Sequence, residues 1–127
     1  MRNQKFYVCK VCGNLVGKIE DGRVPMTCCG QKMEELVPNT VEASQEKHLP
    51  VYELNGNKLD VKVGSTLHPM LDEHNISWVY VETKKGGQRK LLEVNKDPVV
   101  TFTFVDDEPV AIFAYCNLHG LWKTEIK

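Results

Sequence analysis

Val110-Ala111-Ile112-Phe113-Ala114-Tyr115-Cys116-Asn117-Leu118-His119-Gly120-Leu121-Trp122 is the stretch on which the reading of this chain turns. Its first six residues form an apolar run of strand length, with β-branched and aromatic side chains, and predict a buried β-strand. Cys116 and His119, at the mouth of that strand, can turn a thiolate and an imidazole toward one metal ion. Asn117 and Gly120 suit the tight turn this requires, because both tolerate backbone angles that bulkier residues avoid. In such a turn the Leu118 and His119 amides are expected to face the Cys116 sulfur and lower its pKa. Taken alone, a C-x-x-H reads more readily as a small buried Cys beside a surface His. The rest of the chain reverses that reading.

Working back from this stretch, the pattern is β. Asp106-Asp107-Glu108-Pro109 turns the chain into the strand, and Leu121 to Ile126 follows it. Val100, Phe102 and Phe104 alternate with Thr101 and Thr103, the period of a half-buried strand. Ile76 to Thr83 and Lys90 to Val94 read as strands on either side of a turn at Lys85-Gly86-Gly87. Val51 to Leu54 and Lys58 to Val63 flank Asn55-Gly56, a hairpin signal. About seven short strands with regular turns predict an all-β antiparallel sandwich, and no long helical periodicity competes.

The first part of the chain has a different organisation. Cys9-Lys10-Val11-Cys12-Gly13 is a C-x-x-C knuckle, and Cys28-Cys29-Gly30 follows after a stretch long enough for a short hairpin. Together they predict an all-sulfur tetrahedral metal site. Adjacent Cys28 and Cys29 depart from a second C-x-x-C, and two neighbours on one metal should open their sulfur–metal–sulfur angle. A vicinal disulfide would strain the peptide unit and strand Cys9 and Cys12. So small a unit cannot fold on apolar burial alone, so a metal must supply much of its stability. The boundaries are read as a four-cysteine domain over residues 1–36 and a sandwich domain over 37–127, with 37–45 a polar, Pro-interrupted connector.

Composition fits a reducing compartment. The chain has 127 residues, a formal charge of -1 and five Cys, an odd number of which four, Cys9, Cys12, Cys28 and Cys29, cluster near the start, and this argues for thiolate metal binding over a disulfide framework. The absence of basic clusters excludes a nucleic-acid footprint, and no apolar run approaches transmembrane length. A cytoplasmic protein, without nucleic-acid or membrane partners, is expected.

The four His settle the second site. His48 precedes the first sandwich strand, and His68 and His74 bracket the loop His68-Pro69-Met70-Leu71-Asp72-Glu73-His74. Each alone reads as an ordinary surface or strand-end His. Joined to His119 and Cys116 they make a donor set of four nitrogens and one sulfur. Structural zinc closes at four ligands, so this count suits iron with one position open.

Cys9, Cys12, Cys28 and Cys29 resemble the desulforedoxin module, and Glu46-Lys47-His48, His68-Pro69-Met70…His74 and Cys116-Asn117-x-His119-Gly120 look like the signature of superoxide reductase. The whole chain resembles the two-iron desulfoferrodoxins. The resemblance implies a small metal-bound β module joined to an immunoglobulin-like sandwich, two Fe ions per chain, and one-electron reduction of superoxide to hydrogen peroxide. It implies His48, His68, His74 and His119 around the catalytic iron with Cys116 axial, and Cys9, Cys12, Cys28 and Cys29 around an auxiliary electron-transfer iron. Lys47 is expected to attract the superoxide anion, and Glu46 to be the sixth ligand in the ferric state. A rubredoxin as donor and a homodimer are implied as well. Alternatives from other classes are an electron carrier in which only the four-thiolate iron works, which would form no peroxide, and a zinc-ribbon-type binding protein, which would be colourless. Superoxide dismutation is the nearest enzymatic rival, distinguished by evolution of dioxygen.

Overall fold

The computed structural model describes residues 3–127. The chain divides into two compact units, Met1–Val37 and Pro38–Lys127. In the first, β1 (Lys5–Val8) lies between β2 (Leu15–Lys18) and the short β5 (Glu34–Glu35), and β3 (Thr27–Cys28) pairs with β4 (Gln31–Lys32), all antiparallel. Only Phe6, Cys9 and Met33 are buried apolar side chains among its described residues. Burying Phe6 and Met33, the two large ones, contributes only about 1.5–3 kcal/mol each, too little to hold a unit of this size.

The second unit opens with one helical turn, α1 (Gln45–His48), and continues as seven strands: β6 (Pro50–Asn55), β7 (Lys58–Val63), β8 (Ile76–Thr83), β9 (Gly86–Leu91), β10 (Val99–Thr103), β11 (Pro109–Cys116) and β12 (Gly120–Glu125). They form a three-stranded sheet, β10-β7-β6, and a four-stranded sheet, β12-β11-β8-β9, in which every pairing is antiparallel. Leu59, Val61 and Val63 of β7, Phe102 of β10, Ile76, Val79 and Val81 of β8, and Ile112, Ala114 and Cys116 of β11 belong to one buried cluster. The alternation 112, 114, 116 places the Cys116 thiol on the core face of β11. The expected all-β sandwich of about seven strands is the observed architecture.

Two turns differ from their sequence reading. The β6–β7 turn is centred on Gly56-Asn57, since Asn55 pairs with Lys58. Gly56, with φ +62°, holds the first central position of the turn, where a positive φ matches the twist of the strands. The second difference is larger: Lys84-Lys85 make the β8–β9 turn, and Gly86 and Gly87 belong to β9, so this strand starts before the expected Lys90. The reason is steric. A Cβ on Gly87 would collide with the Tyr80 ring and hydroxyl, so the glycine marks a close backbone approach within a strand rather than a turn.

Within the expected connector, Asn39 is structured. Its amide donates to the Leu121 carbonyl at 3.0 Å, its Nδ2 to the Lys123 carbonyl at 3.1 Å, and its Oδ1 accepts from the Lys123 amide at 2.8 Å. One side chain thus imitates a strand residue along the edge of β12.

Candidate metal centres

The Cys9–Gly13 knuckle closes with the Gly13 amide on the Cys9 carbonyl at 2.9 Å, and Gly13 takes φ +82°. The second arm is the β3–β4 turn, where Cys29 and Gly30 both have positive φ, +53° and +71°. These turns bring the sulfurs of Cys9, Cys12, Cys28 and Cys29 within 4.8 Å of one another. Metal–sulfur bonds of about 2.3 Å set tetrahedral sulfurs about 3.8 Å apart. The Cys12–Cys28 and Cys28–Cys29 separations are 3.6 and 4.0 Å, on either side of that figure, with the adjacent pair the wider. All are free thiols.

The amides of the knuckle supply donors. Cys12 N–H points at Cys9 Sγ, Asn14 N–H at Cys12 Sγ and Asn14 Nδ2 at Cys28 Sγ, each at 3.5 Å. The Cys12 amide is the main reason the Cys9 thiol falls to about 6. Neighbouring sulfurs, Cys12 foremost, push Cys29 up to about 12 and raise Cys28. Four crowded thiolates need a cation to coexist, which is what a metal supplies. The donor set fits iron or zinc.

The second cluster is assembled from four segments. His48 ends α1, His68 and His74 lie between β7 and β8, Cys116 ends β11, and His119 lies in the β11–β12 turn. None of the four His lies within a strand. A Cβ on Gly64 would strike the Glu46 carbonyl, so glycine there lets the backbone before His68 run against α1; the Glu46 carbonyl also accepts from the Thr66 amide at 3.1 Å and Ser65 Oγ at 3.2 Å. A register shift between Tyr115 and Cys116 leaves Ser77 as an extra residue on β8, so that Cys116 pairs with Ile76. This β-bulge re-aims the end of the strand.

The imidazoles form a closed ring in the order His48, His68, His74, His119. Successive centroids are 4.7, 4.6, 5.2 and 4.9 Å apart, with successive planes 76°, 81°, 75° and 86° to each other. The diagonal His48–His74 pair is 6.5 Å apart at 35°. Four rings edge-on around one centre can each turn a nitrogen toward it. His48 Nε2 is 3.1 Å from His119 Nδ1, and Cys116 Sγ is 3.4 Å from His68 Nε2 and 3.8 Å from His119 Nδ1. Donor atoms of His48, His68, His74 and Cys116 all lie within 4.8 Å of one another, while His119 stands somewhat outside that set.

Backbone carbonyls fix the tautomers. His48 Nδ1 donates to the Ser44 carbonyl and His68 Nδ1 to the Pro69 carbonyl, both at 2.7 Å. Each Nε2 therefore keeps its lone pair for a metal. His74 Nε2 is buried without a hydrogen-bond partner. An orphaned buried nitrogen among three other imidazoles and a thiol is what a ligand set looks like. Trp122 lies against His48, 4.9 Å between centroids, and donates from Nε1 to the His119 carbonyl at 3.1 Å. Its supporting role was not read from the sequence, although strand alternation from Gly120 carries the signal.

One expectation fails. Among the described residues neither the Leu118 nor the His119 amide donates to Cys116 Sγ, whose neighbours are imidazole nitrogens. The Asn117 amide is engaged by the Asn75 carbonyl at 3.2 Å, which holds the turn away from the sulfur. Glu46 and Lys47 lie on α1 beside His48 and are exposed, and their side chains make no hydrogen bond or ion pair among the described residues.

Burial favours the neutral form of His48 and His68. It is the leading cause that lowers His48 and brings His68 down to about 4, and the Pro69 carbonyl only partly opposes it. A native His68 at about 4 binds fewer protons than the unfolded chain, whose His titrate near about 6.5. This stability is present above the unfolded value and is lost as pH falls toward the folded one. The urea midpoint of metal-free protein should therefore fall steadily between about pH 6.5 and about pH 4. A flat midpoint there would place His68 in water.

The comparisons with known proteins agree with this geometry. The family model described as desulfoferrodoxin matches residues 40–125, and the desulfoferrodoxin N-terminal domain model matches residues 1–36. A desulfoferrodoxin homolog of Archaeoglobus fulgidus is 44% identical over 120 residues, covering 94% of this chain and 95% of the relative. A superoxide reductase of Pyrococcus horikoshii is 34% identical, covering 65% of this chain and 87% of its own. The crystal structure of the superoxide reductase from Treponema pallidum superposes with a TM-score of 0.81 at 38% identity, covering 98% of this chain and all of the other.

Proposed function

The chain belongs to the desulfoferrodoxin family, and from that premise we propose that it is a superoxide reductase: superoxide, one electron and two protons become hydrogen peroxide, without dioxygen. The observation that carries this reading is the closed ring of four imidazoles with a buried thiol beside it. Iron held there by His48, His68, His74, His119 and Cys116 would supply the electron and a place for a small anion to bind.

His48, His68, His74 and His119 are assigned as neutral nitrogen donors and Cys116 as the thiolate donor, whose electron richness favours giving an electron away. Lys47 brings positive charge to the approach of the anion, which a chain of net charge -1 needs locally. Glu46 is assigned as the sixth donor of the oxidised site, where a hard carboxylate suits the higher charge. Cys9, Cys12, Cys28 and Cys29 hold the auxiliary iron, and the domains are assigned as 1–36 and 37–127. Resemblance to the two-iron family supports a rubredoxin-like electron donor and a homodimer. The need of both centres for free thiols supports the cytoplasm; no helix of the described residues is long and apolar enough to cross a membrane.

Glu46 and Lys47 act at different moments, and this separates them experimentally. An exposed unit charge gains about 1 kcal/mol at contact in water, more in a partly dry site. Lys47→Ala should slow the bimolecular reaction with superoxide about tenfold, since roughly 1.4 kcal/mol is a factor of ten. It should also flatten the salt dependence of the rate. Glu46→Ala should leave that rate nearly unchanged while altering the ferric spectrum and admitting cyanide or azide. Pulse radiolysis at two ionic strengths reads both variants. Equal slowing by both would remove the division of roles.

A further inference from the structure

His74 is the one imidazole whose position its own ring does not explain. His48 and His68 are each held by a carbonyl on Nδ1, and His119 is carried by a turn whose carbonyl is gripped by Trp122. The His74 ring makes no hydrogen bond among the described residues, and its Nε2 is a buried orphan. Its place must come from its backbone. The Asn117 side chain holds both peptide groups that flank it. Asn117 Nδ2 donates to the Glu73 carbonyl at 3.0 Å, and Asn117 Oδ1 accepts from the Asn75 amide at 2.9 Å. The Asn117 amide also donates to the Asn75 carbonyl at 3.2 Å. Asn75 stiffens the loop from within, donating from Nδ2 to the Leu71 and Asp72 carbonyls at 2.9 and 3.2 Å.

We propose that Asn117 is a positioning residue for the catalytic metal: its amide side chain sets where the His74 ring stands and ties that ring to the Cys116 turn. The proposal rests on reading this cluster as the catalytic site. The chemistry asks for an amide. Asn offers a donor and an acceptor at one end of a short side chain, matching one carbonyl and one N–H separated by His74 alone. Asn117 also follows Cys116 directly, so a shift of the His74 loop reaches the sulfur through a single peptide. Groups that orient ligands in this way typically change metal affinity by about 10–100-fold when removed.

The test uses iron-loaded protein with the four-cysteine bands as an internal reference. Asn117→Ala should release iron from the five-donor site to a chelator at least about tenfold faster, and should shift that site's ferric spectrum and reduction potential. The four-cysteine bands should not change. Asn117→Asp keeps the acceptor for the Asn75 amide but loses the donor to the Glu73 carbonyl, and should fall between parent and Ala; it also carries the test should Asn117→Ala not fold. In metal-free protein the Asn75 amide should exchange faster and the His74 ring resonances should move in both variants. Parental release, potential and Asn75 exchange in the variants would overturn the proposal. A parent that takes up no iron at this cluster would instead overturn the reading of the site, and the metal-free exchange and His74 resonances would still decide the role of Asn117.

Discussion

Cys116→Ser is expected to abolish the sulfur-to-metal charge-transfer band and to reduce the rate with superoxide by about a hundredfold or more, beyond the 10–100-fold typical of groups one shell further out. Two properties of Cys116 lead to this. Its side chain is fully buried at the end of β11, on the core face with Ile112 and Ala114. Its sulfur also lies beside the imidazole ring, 3.4 Å from His68 Nε2 and 3.8 Å from His119 Nδ1. Serine occupies nearly the same volume, so the strand and the bulge before Cys116 should persist. What changes is the donor, from a soft thiolate to a hard hydroxyl. A variant with iron bound and an unchanged rate would remove Cys116 from the chemistry.

Cys12→Ser should have the largest structural effect and a small catalytic one. Structural metal sites in small peptides contribute on the order of 10 kcal/mol to folding, and Phe6, Cys9 and Met33 are the buried side chains that unit can offer instead. Removing one of its four sulfurs should bleach the visible bands of the four-thiolate centre and leave residues 1–36 open to proteolysis. The sandwich has its own core in β7, β8, β10 and β11, and should keep its cooperative thermal transition. Chemically reduced variant should still reduce superoxide at close to the parental rate, because the two donor sets share no residue. Loss of superoxide reduction together with the four-thiolate bands would show that the centres are not separable.

What could be read from the sequence follows the range of the interactions. The Cys9–Cys12 knuckle is set by adjacent residues and a glycine, so it was legible. The β11 strand was legible because burial on both faces leaves an unbroken apolar run. The ligand His were legible as an inventory, since the four His and the fifth Cys were left once the first site was filled. Their order around the ring was not, because it depends on how the segments from β7 to β8 and from β11 to β12 cross, which no local pattern encodes. Asn117 was read as a turn former. Its grip on the loop around His74 joins residues far apart in sequence, and a polar side chain bonded to distant backbone leaves no periodic trace. Trp122 and Asn39 were missed for the same reason. Gly86-Gly87 misled because a glycine pair reads as a turn, whereas here both lie in β9 and Gly87 accommodates the Tyr80 ring.

The central claim is that this site reduces superoxide and does not dismutate it. The most direct measurement is the stoichiometry of products when fully reduced protein meets a limiting amount of superoxide. A reductase yields one peroxide for each superoxide consumed, evolves no dioxygen and leaves protein iron, summed over the two centres, oxidised in equal amount. One peroxide for every two superoxide, with dioxygen evolved and the iron returned to its starting state, would contradict the account.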